Sequence, residues 1–219
     1  MIYQEQRNTI IDTCLMMDRI GFFLGTWGNV SMRVGDHIIL TPSKVKYETM
    51  LPEDLVVIDM EGNRVEGERV ATSEKEVHRQ IYLMKPEVQA VIHAHTKCAM
   101  AMSVLDLEAV PCLVEEMSQL LGGSIPITPS YIPAEQHFEL GCAAGAHISD
   151  RTGLILRNHG PVACGRTMDE AVLTVRVIEK ACEIYATVLH ERNLVMPIPQ
   201  KAVESERYRY LYKYGNEKT

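Results

Sequence analysis

Apolar residues near helical spacing open the chain, and alternating apolar and polar residues follow them. Residues 3–21 place isoleucine, leucine and cysteine side chains at this spacing and predict a first helix. Segments 29–42 and 54–68 each carry two alternating runs around a short turn, and each predicts a β-hairpin. The turn of the first hairpin is Gly35-Asp36, and Gly62 lies in the second.

Helical and extended segments alternate along the rest of the chain. Ser73 and Glu76 have the spacing of a capping box and predict a helix that starts at Ser73 and is stopped by Pro86. An apolar strand is predicted over 88–95 and the longest helix over 168–191. Hairpins that come first, with strands and helices alternating later, predict one mixed or largely antiparallel sheet covered by helices.

Length and composition fit one globular domain over residues 1–219, since no repeat or linker divides the chain. The formal net charge is −7 and the chain shows no basic patch, which argues against a nucleic-acid partner. No apolar run approaches the ~20 residues of a membrane span. The six cysteines lie singly in apolar stretches, which is typical of free thiols in a reducing compartment, and we expect a cytoplasmic protein.

Two histidines at the end of the predicted strand indicate a metal site. His93 and His95 are two residues apart, so both imidazoles project from the same face. His159, which follows another apolar strand, is the best third ligand, and Glu74 at a helix start is the best fourth group. Three histidines and a carboxylate suit zinc, with manganese, iron and cobalt as alternatives. His78 follows Glu74 by one helical turn and is either its orienting partner or a satisfied buried histidine.

Three short segments have the composition of an anion site. The loop GTWGNVS (25–31) offers glycines and small polar side chains, and TPSK (41–44) ends a strand. Thr72 and Ser73 lie at a predicted helix N-terminus, where backbone N–H groups attract anions. Because the last segment adjoins Glu74, the sequence predicts a phosphate site beside the metal.

In this order, the motifs GNVS (28–31), TPS (41–43), TSE (72–74), HAH (93–95) and NHG (158–160) resemble those of the class II aldolase/adducin family. The similarity covers nearly the whole chain. It implies a three-layer α/β/α fold with a mainly antiparallel central sheet, and a homotetramer with active sites at subunit interfaces.

The resemblance also assigns roles to the candidate residues. It implies one Zn²⁺ per subunit held by Glu74, His93, His95 and His159, with Glu74 also the catalytic acid/base. Tyr214 falls on a catalytic tyrosine of the family's aldolases, and Glu115 stands where they carry a second one. The residues that fall where the family holds the substrate phosphate are Thr26, Gly28, Asn29, Ser43, Lys44, Thr72 and Ser73.

The implied reaction is cleavage of a ketose 1-phosphate to dihydroxyacetone phosphate and an aldehyde through a metal-bound enediolate. Sugar-phosphate 4-epimerases, dehydratases and decarboxylases have a similar scaffold. Epimerisation, dehydration and decarboxylation are therefore alternative reactions for this chain. A non-catalytic, adducin-like interaction module is a weaker alternative, because the three histidines and Glu74 are all kept. A structural zinc site is weaker too, since such sites are typically closed and rich in cysteine.

Overall fold

A seven-stranded antiparallel sheet lies at the centre of the fold. The structure is a computed structural model that describes residues 1–133 and 135–213. The sheet has the strand order β4-β3-β2-β1-β5-β9-β8, and a separate two-stranded ladder pairs β6 with β7. The strands are β1 (Asn29–Val34), β2 (His37–Leu40), β3 (Val56–Asp59), β4 (Arg64–Glu66), β5 (Ala90–His93), β6 (Ala109–Val110), β7 (Ile125–Pro126), β8 (Gly153–Ile155) and β9 (Pro161–Gly165).

Helices cover both faces of this sheet. They are α1 (Gln4–Arg19), α2 (Lys75–Met84), α3 (Lys97–Ser103), α4 (His137–Ile148), α5 (Met168–Val188) and α6 (Gln200–Tyr212). Alternate strand residues feed two separate cores, as the period of two along a strand requires. Val30 and Ile39 pack with α1, α3 and α5, whereas Ile38 and Val91 pack with α2 and α4. The predicted three-layer α/β/α fold with an antiparallel central sheet is confirmed.

The local predictions hold for most elements. Both hairpins form as expected, and β1 pairs with β2 across the Gly35-Asp36 turn. The longest helix is α5, which ends at Val188 and continues as a 3₁₀ segment, Leu189–Leu194. Helix α6 is the last helix of the described chain.

The start of α2 differs from the prediction. The helix begins at Lys75, with Glu74 as the residue that precedes it, and no side chain caps its first N–H groups. The Glu76 carboxylate accepts a hydrogen bond from Arg79 on the same helix, and so does not complete a capping box with Ser73. The capping-box spacing therefore located the helix but misplaced its first residue.

Strand register brings the ends of three central strands together. Asn29, the first residue of β1, pairs with His93, the last residue of β5, and His93 pairs with Val162 of β9. Residues just outside these strands at this edge of the sheet therefore lie side by side. In the described stretches of the chain, no helix is long and apolar enough to cross a membrane.

Candidate metal and substrate site

Three imidazoles meet at this edge of the sheet. The ring centroids of His93, His95 and His159 lie 4.8 to 5.1 Å from one another. One ligand atom from each of these side chains lies within 4.8 Å of the others, and the Nε2 atoms of His93 and His95 are 3.1 Å apart. Two nitrogens on one tetrahedral zinc are about 3.4 Å apart, given Zn–N bonds of ~2.0–2.1 Å. The three histidines therefore fit a shared metal ion.

The loop that carries His159 reaches the other histidines through a close backbone approach. A Cβ on Gly160 would lie 2.4 Å from the Ala94 carbonyl oxygen, so only glycine fits there. Asn158 has a φ of 55°, a conformation that asparagine tolerates better than most residues. Pro161 begins β9, and its carbonyl accepts a hydrogen bond from Nδ1 of His93 at 3.0 Å. That bond leaves the Nε2 lone pair of His93 facing the other two rings.

Glu74 completes the group from the opposite side. One carboxylate oxygen is 3.0 Å from Nε2 of His159, and the other is 3.5 Å from Nε2 of His93. The second oxygen also accepts a hydrogen bond from the Asn29 amide at 2.6 Å. Burial opposes the negative charge, but His93, His159 and the Asn29 amide outweigh it and hold the pKa of Glu74 well below its usual range. Glu74 is therefore a carboxylate at neutral pH, as a metal ligand or a base must be.

His93 and His95 are neutral, as metal ligands must be. Burial lowers the pKa of His93 to about 3, although the Glu74 carboxylate opposes that effect. Burial also lowers the pKa of His95, and the neighbouring His159 acts in the same direction. A neutral imidazole offers a lone pair without first losing a proton, so these nitrogens are ready to bind a cation.

A cavity of about 410 Å³ opens beside the histidines. The segments 41–44 and 70–73 are joined along one side of it by backbone hydrogen bonds from Ser43 to Val70 and from Thr72 to Thr41. The residues that line the cavity are Thr26, Trp27, Gly28, Asn29, Pro42, Ser43, Lys44, Thr72, Ser73, Glu74, His95 and His159. All seven residues predicted to hold a phosphate therefore line one cavity together with Glu74, His95 and His159.

Of the predicted catalytic residues, Glu115 stands apart from this cavity. Glu115 is exposed, accepts a hydrogen bond from Gln119, and is not among the described residues that line the cavity. Tyr214 lies outside the described residues. Within one chain, the described structure does not bring Glu115 to the histidines.

The prediction for Ser31 was wrong, and the positions of Trp27 and Tyr82 were not predicted. Ser31, grouped with the anion-binding loop, is fully buried and hydrogen-bonds His78 and Tyr82 instead. Trp27 was not singled out, yet it lines the cavity with its indole 6.3 Å from the His95 ring. The spacing of Glu74, His78 and Tyr82, four residues apart on one helix face, was the available signal for a buried polar stripe.

Comparisons with known proteins agree with this geometry. The family model described as class II aldolase and adducin N-terminal domain matches residues 8–186. The L-fuculose phosphate aldolase of Escherichia coli K12 is 32% identical over 190 residues, which cover 87% of this chain and 85% of that protein. The Haemophilus influenzae L-fuculose phosphate aldolase is 30% identical over 197 residues, with coverages of 90% and 89%.

A solved structure of L-fuculose 1-phosphate aldolase superposes with a TM-score of 0.89 at 25% identity. That alignment covers 97% of this chain and 99% of the solved chain, so the similarity extends over the whole fold. Sequence motifs, fold and site geometry lead to one conclusion: this chain belongs to the class II aldolase and adducin family.

Proposed function

We propose that this chain is a zinc-dependent aldolase that cleaves a ketose 1-phosphate of the L-fuculose 1-phosphate type to dihydroxyacetone phosphate and an aldehyde. The observation that carries the proposal is one cavity lined by Glu74, by two of the three clustered histidines, and by Lys44 with several small polar residues. The names of the relatives support the lyase reaction and the type of substrate.

His93, His95, His159 and Glu74 would hold the metal. A bound zinc ion would supply Lewis-acid stabilisation of the negative charge that develops on the ketone oxygen. The donor set of imidazoles and a carboxylate suits Zn²⁺, and the open cavity beside it leaves room for a substrate oxygen.

Glu74 is the group that we assign to proton transfer at carbon. In the condensation direction its carboxylate takes a proton from the hydroxymethyl carbon of dihydroxyacetone phosphate; in the cleavage direction it returns a proton to C3 after the C3–C4 bond has broken. Support comes from its place beside His93 and His159 at the cavity. A second group must accept the C4 hydroxyl proton during cleavage.

The other end of the cavity would bind the phosphate. Lys44 brings a positive charge to a chain whose net charge is −7, so capture of an anionic substrate depends on this local site. Small side chains and backbone N–H groups around it would add the directional contacts, and we assign these to Thr26, Gly28, Asn29, Ser43, Thr72 and Ser73.

A homotetramer would place further groups in the site. We propose that Glu115 and Tyr214 of a neighbouring subunit face the aldehyde end and that one of them accepts the C4 hydroxyl proton. This assignment is supported by the position of Glu115 on the exposed surface, away from its own cavity. The exposed apolar side chains of Leu24 and Trp27 near the cavity supply a surface that a partner subunit would cover.

Six free cysteines support a reducing, cytoplasmic location.

A product assay on a panel of sugar phosphates tests the proposed reaction. The zinc-loaded protein is expected to release dihydroxyacetone phosphate and an aldehyde from at least one ketose 1-phosphate. Formation of an epimer, a dehydrated ketone or carbon dioxide instead would assign the chain to the epimerases, dehydratases or decarboxylases. Absence of any product from folded, metal-loaded protein would favour a non-catalytic interaction module.

Glu74→Gln tests the proton-transfer role within the same assay. The amide keeps the size of the side chain but cannot take a proton, so turnover is expected to fall by at least ~100-fold while the fold is kept. Glu76→Gln on the same helix is the matched control, because Glu76 pairs with Arg79 and does not line the cavity. Equal activity of the two variants would refute the assignment.

A further inference from the structure

A buried row of polar side chains runs from α2 and β1 to the Glu74 carboxylate. Tyr82 and Ser31 are linked by a 2.8 Å hydrogen bond, and Ser31 is 2.7 Å from Nδ1 of His78. Nε2 of His78 is 2.5 Å from the Asn29 side-chain oxygen, and the Asn29 amide nitrogen is 2.6 Å from Glu74. Ser31, His78 and Tyr82 have no exposed surface, and none of the three lines the cavity.

The chemistry of the groups fixes the direction of every bond in this row. A carboxylate only accepts, so the Asn29 amide nitrogen faces Glu74 and its oxygen faces His78. His78 must then carry its proton on Nε2, which leaves Nδ1 as an acceptor. Burial lowers the pKa of His78 to about 4, although Glu74 opposes the effect, so the ring is neutral and has a single N–H.

The same argument continues to the far end of the row. Because Nδ1 of His78 is an acceptor, the Ser31 hydroxyl donates to it. Ser31 then has no proton left for Tyr82, so the Tyr82 hydroxyl donates to Ser31. Each of the four donors therefore donates to the next residue towards Glu74. They are the hydroxyls of Tyr82 and Ser31, the Nε2–H of His78 and the amide of Asn29. The Asn29 side chain is committed at both ends to Glu74 and His78.

We propose that His78 is a positioning residue that, through Asn29, holds the Glu74 carboxylate in the orientation its proton transfer requires. The inference deepens the proposed function and rests on it for the identity of the reaction. A reversed His78 tautomer would set two acceptors against each other at Asn29, and the amide would turn its oxygen towards Glu74. The carboxylate would then lose a donor and move relative to the histidines.

A pair of substitutions of nearly equal size separates this role from simple core filling. His78→Gln keeps an N–H that donates to Asn29, whereas His78→Met fills a similar volume without a donor. We expect His78→Met to weaken zinc binding by about 10- to 100-fold and to lower kcat by a similar factor, as loss of a partner to a metal ligand typically does. The zinc affinity and kcat of His78→Gln are expected to stay within about fivefold of the wild-type values. KM is expected to change less than kcat in both variants.

Zinc affinity, measured by chelator competition on full-length protein, and kcat are compared only if both variants unfold at similar urea midpoints. Equal zinc affinity and equal kcat for the two variants would overturn the proposal. If the unchanged protein released no dihydroxyacetone phosphate, the aldolase proposal would fail, but the difference in zinc affinity would still decide the role of His78.

Ser31→Ala and Tyr82→Phe provide a second comparison if His78→Met does not fold. Ser31→Ala removes the donor that fixes the His78 tautomer, whereas Tyr82→Phe leaves that donor in place. We therefore expect Ser31→Ala to lower zinc affinity and kcat more than Tyr82→Phe does. A larger loss in Tyr82→Phe would contradict the direction of the row.

Discussion

Lys44 lies at the cavity in a backbone conformation that lysine rarely adopts. Its φ is 60°, in the left-handed region that costs a residue with a Cβ roughly 1–2 kcal/mol. Strain of this kind persists where the surrounding structure holds it, and it is common at ligand sites. The side chain is exposed and free to reach a substrate phosphate.

Two substitutions at Lys44 separate its charge from its strain. Lys44→Met and Lys44→Gly both remove the charge, and both are expected to raise KM for a phosphorylated substrate several-fold, with a larger effect at low salt. Only Lys44→Gly relieves the backbone, so it alone is expected to raise the free energy of unfolding, by up to about 1 kcal/mol after the flexibility of glycine is counted. Urea unfolding and steady-state kinetics measure the two effects. An unchanged KM in both variants would remove Lys44 from the phosphate site.

The site residues that sequence could predict are those with a local pattern. His93 and His95 share one strand face, and Thr72, Ser73 and Glu74 are consecutive, so their grouping can be read from spacing alone. The role of Ser31 could not be predicted from the sequence. Only the packing of α2 on β1 shows that its hydroxyl points to His78 and away from the cavity.

Among the elements, α4 packs closely against α2, the helix that follows Glu74. A Cβ on Gly141 of α4 would lie 2.6 Å from the backbone oxygen of Glu76, so the two helices meet at a glycine. A Cβ on Gly145, one turn later, would meet the Gln80 side chain at 3.2 Å, a milder contact. A side chain at position 141 would therefore collide with the backbone of α2, whereas one at position 145 would first meet a side chain.

Gly141→Ala is expected to destabilise the protein. Alanine favours a helix over glycine by about 1 kcal/mol, but a contact with backbone that cannot move aside costs about 1–3 kcal/mol. The steric cost wins at Gly141, whereas Gly145→Ala is expected to stay within about 1 kcal/mol of the unchanged protein. Urea midpoints measure both. Equal stability of the two variants would contradict the close helix contact.

Element types and turns were readable from sequence, but pairing was not. The Gly35-Asp36 turn joins neighbouring strands and sets their register locally. β5 pairs with β1 and β9, which are distant in sequence, and no local pattern encodes those partners. The three-layer fold was therefore predicted through the family resemblance and the largely antiparallel sheet from the hairpin pattern, whereas the order of the strands came from the structure.

At the scale of the whole molecule, buried neutral histidines make stability depend on pH. Burial lowers the pKa of His78 to about 4 and that of His93 to about 3, whereas both titrate near 6.5 in the unfolded chain. Between these values the unfolded state binds protons that the folded state does not, so stability falls as pH falls from 6.5 towards 4. Glu74 does not oppose this trend, because its carboxyl is ionised in both states above about pH 4.5.

Each of these histidines is expected to lower the free energy of unfolding by about 2 kcal/mol between pH 7 and pH 5. Urea denaturation of the metal-free protein at the two pH values measures the change. His78→Gln removes one of the two groups and should show a smaller loss. A stability that is unchanged between pH 7 and pH 5 would show that these rings are not held neutral.

The prediction of one domain over residues 1–219 stays a prediction, as does the homotetramer. The described residues of one chain bring together the groups proposed to bind metal and phosphate, while Glu115 lies elsewhere on the surface. A residue that acts from another subunit leaves no local signal in sequence, because its partners are set by assembly and not by spacing.

Turnover as a function of bound zinc tests whether this chain is a zinc-dependent aldolase. Chelator-treated protein is titrated with zinc while dihydroxyacetone phosphate release from a ketose 1-phosphate is measured. Activity is predicted to be absent without metal, to rise in proportion to bound zinc and to reach its plateau at one ion per chain, and His159→Ala is predicted to stay inactive at that point. Full turnover in the metal-free protein, or in His159→Ala at one ion per chain, would contradict the account.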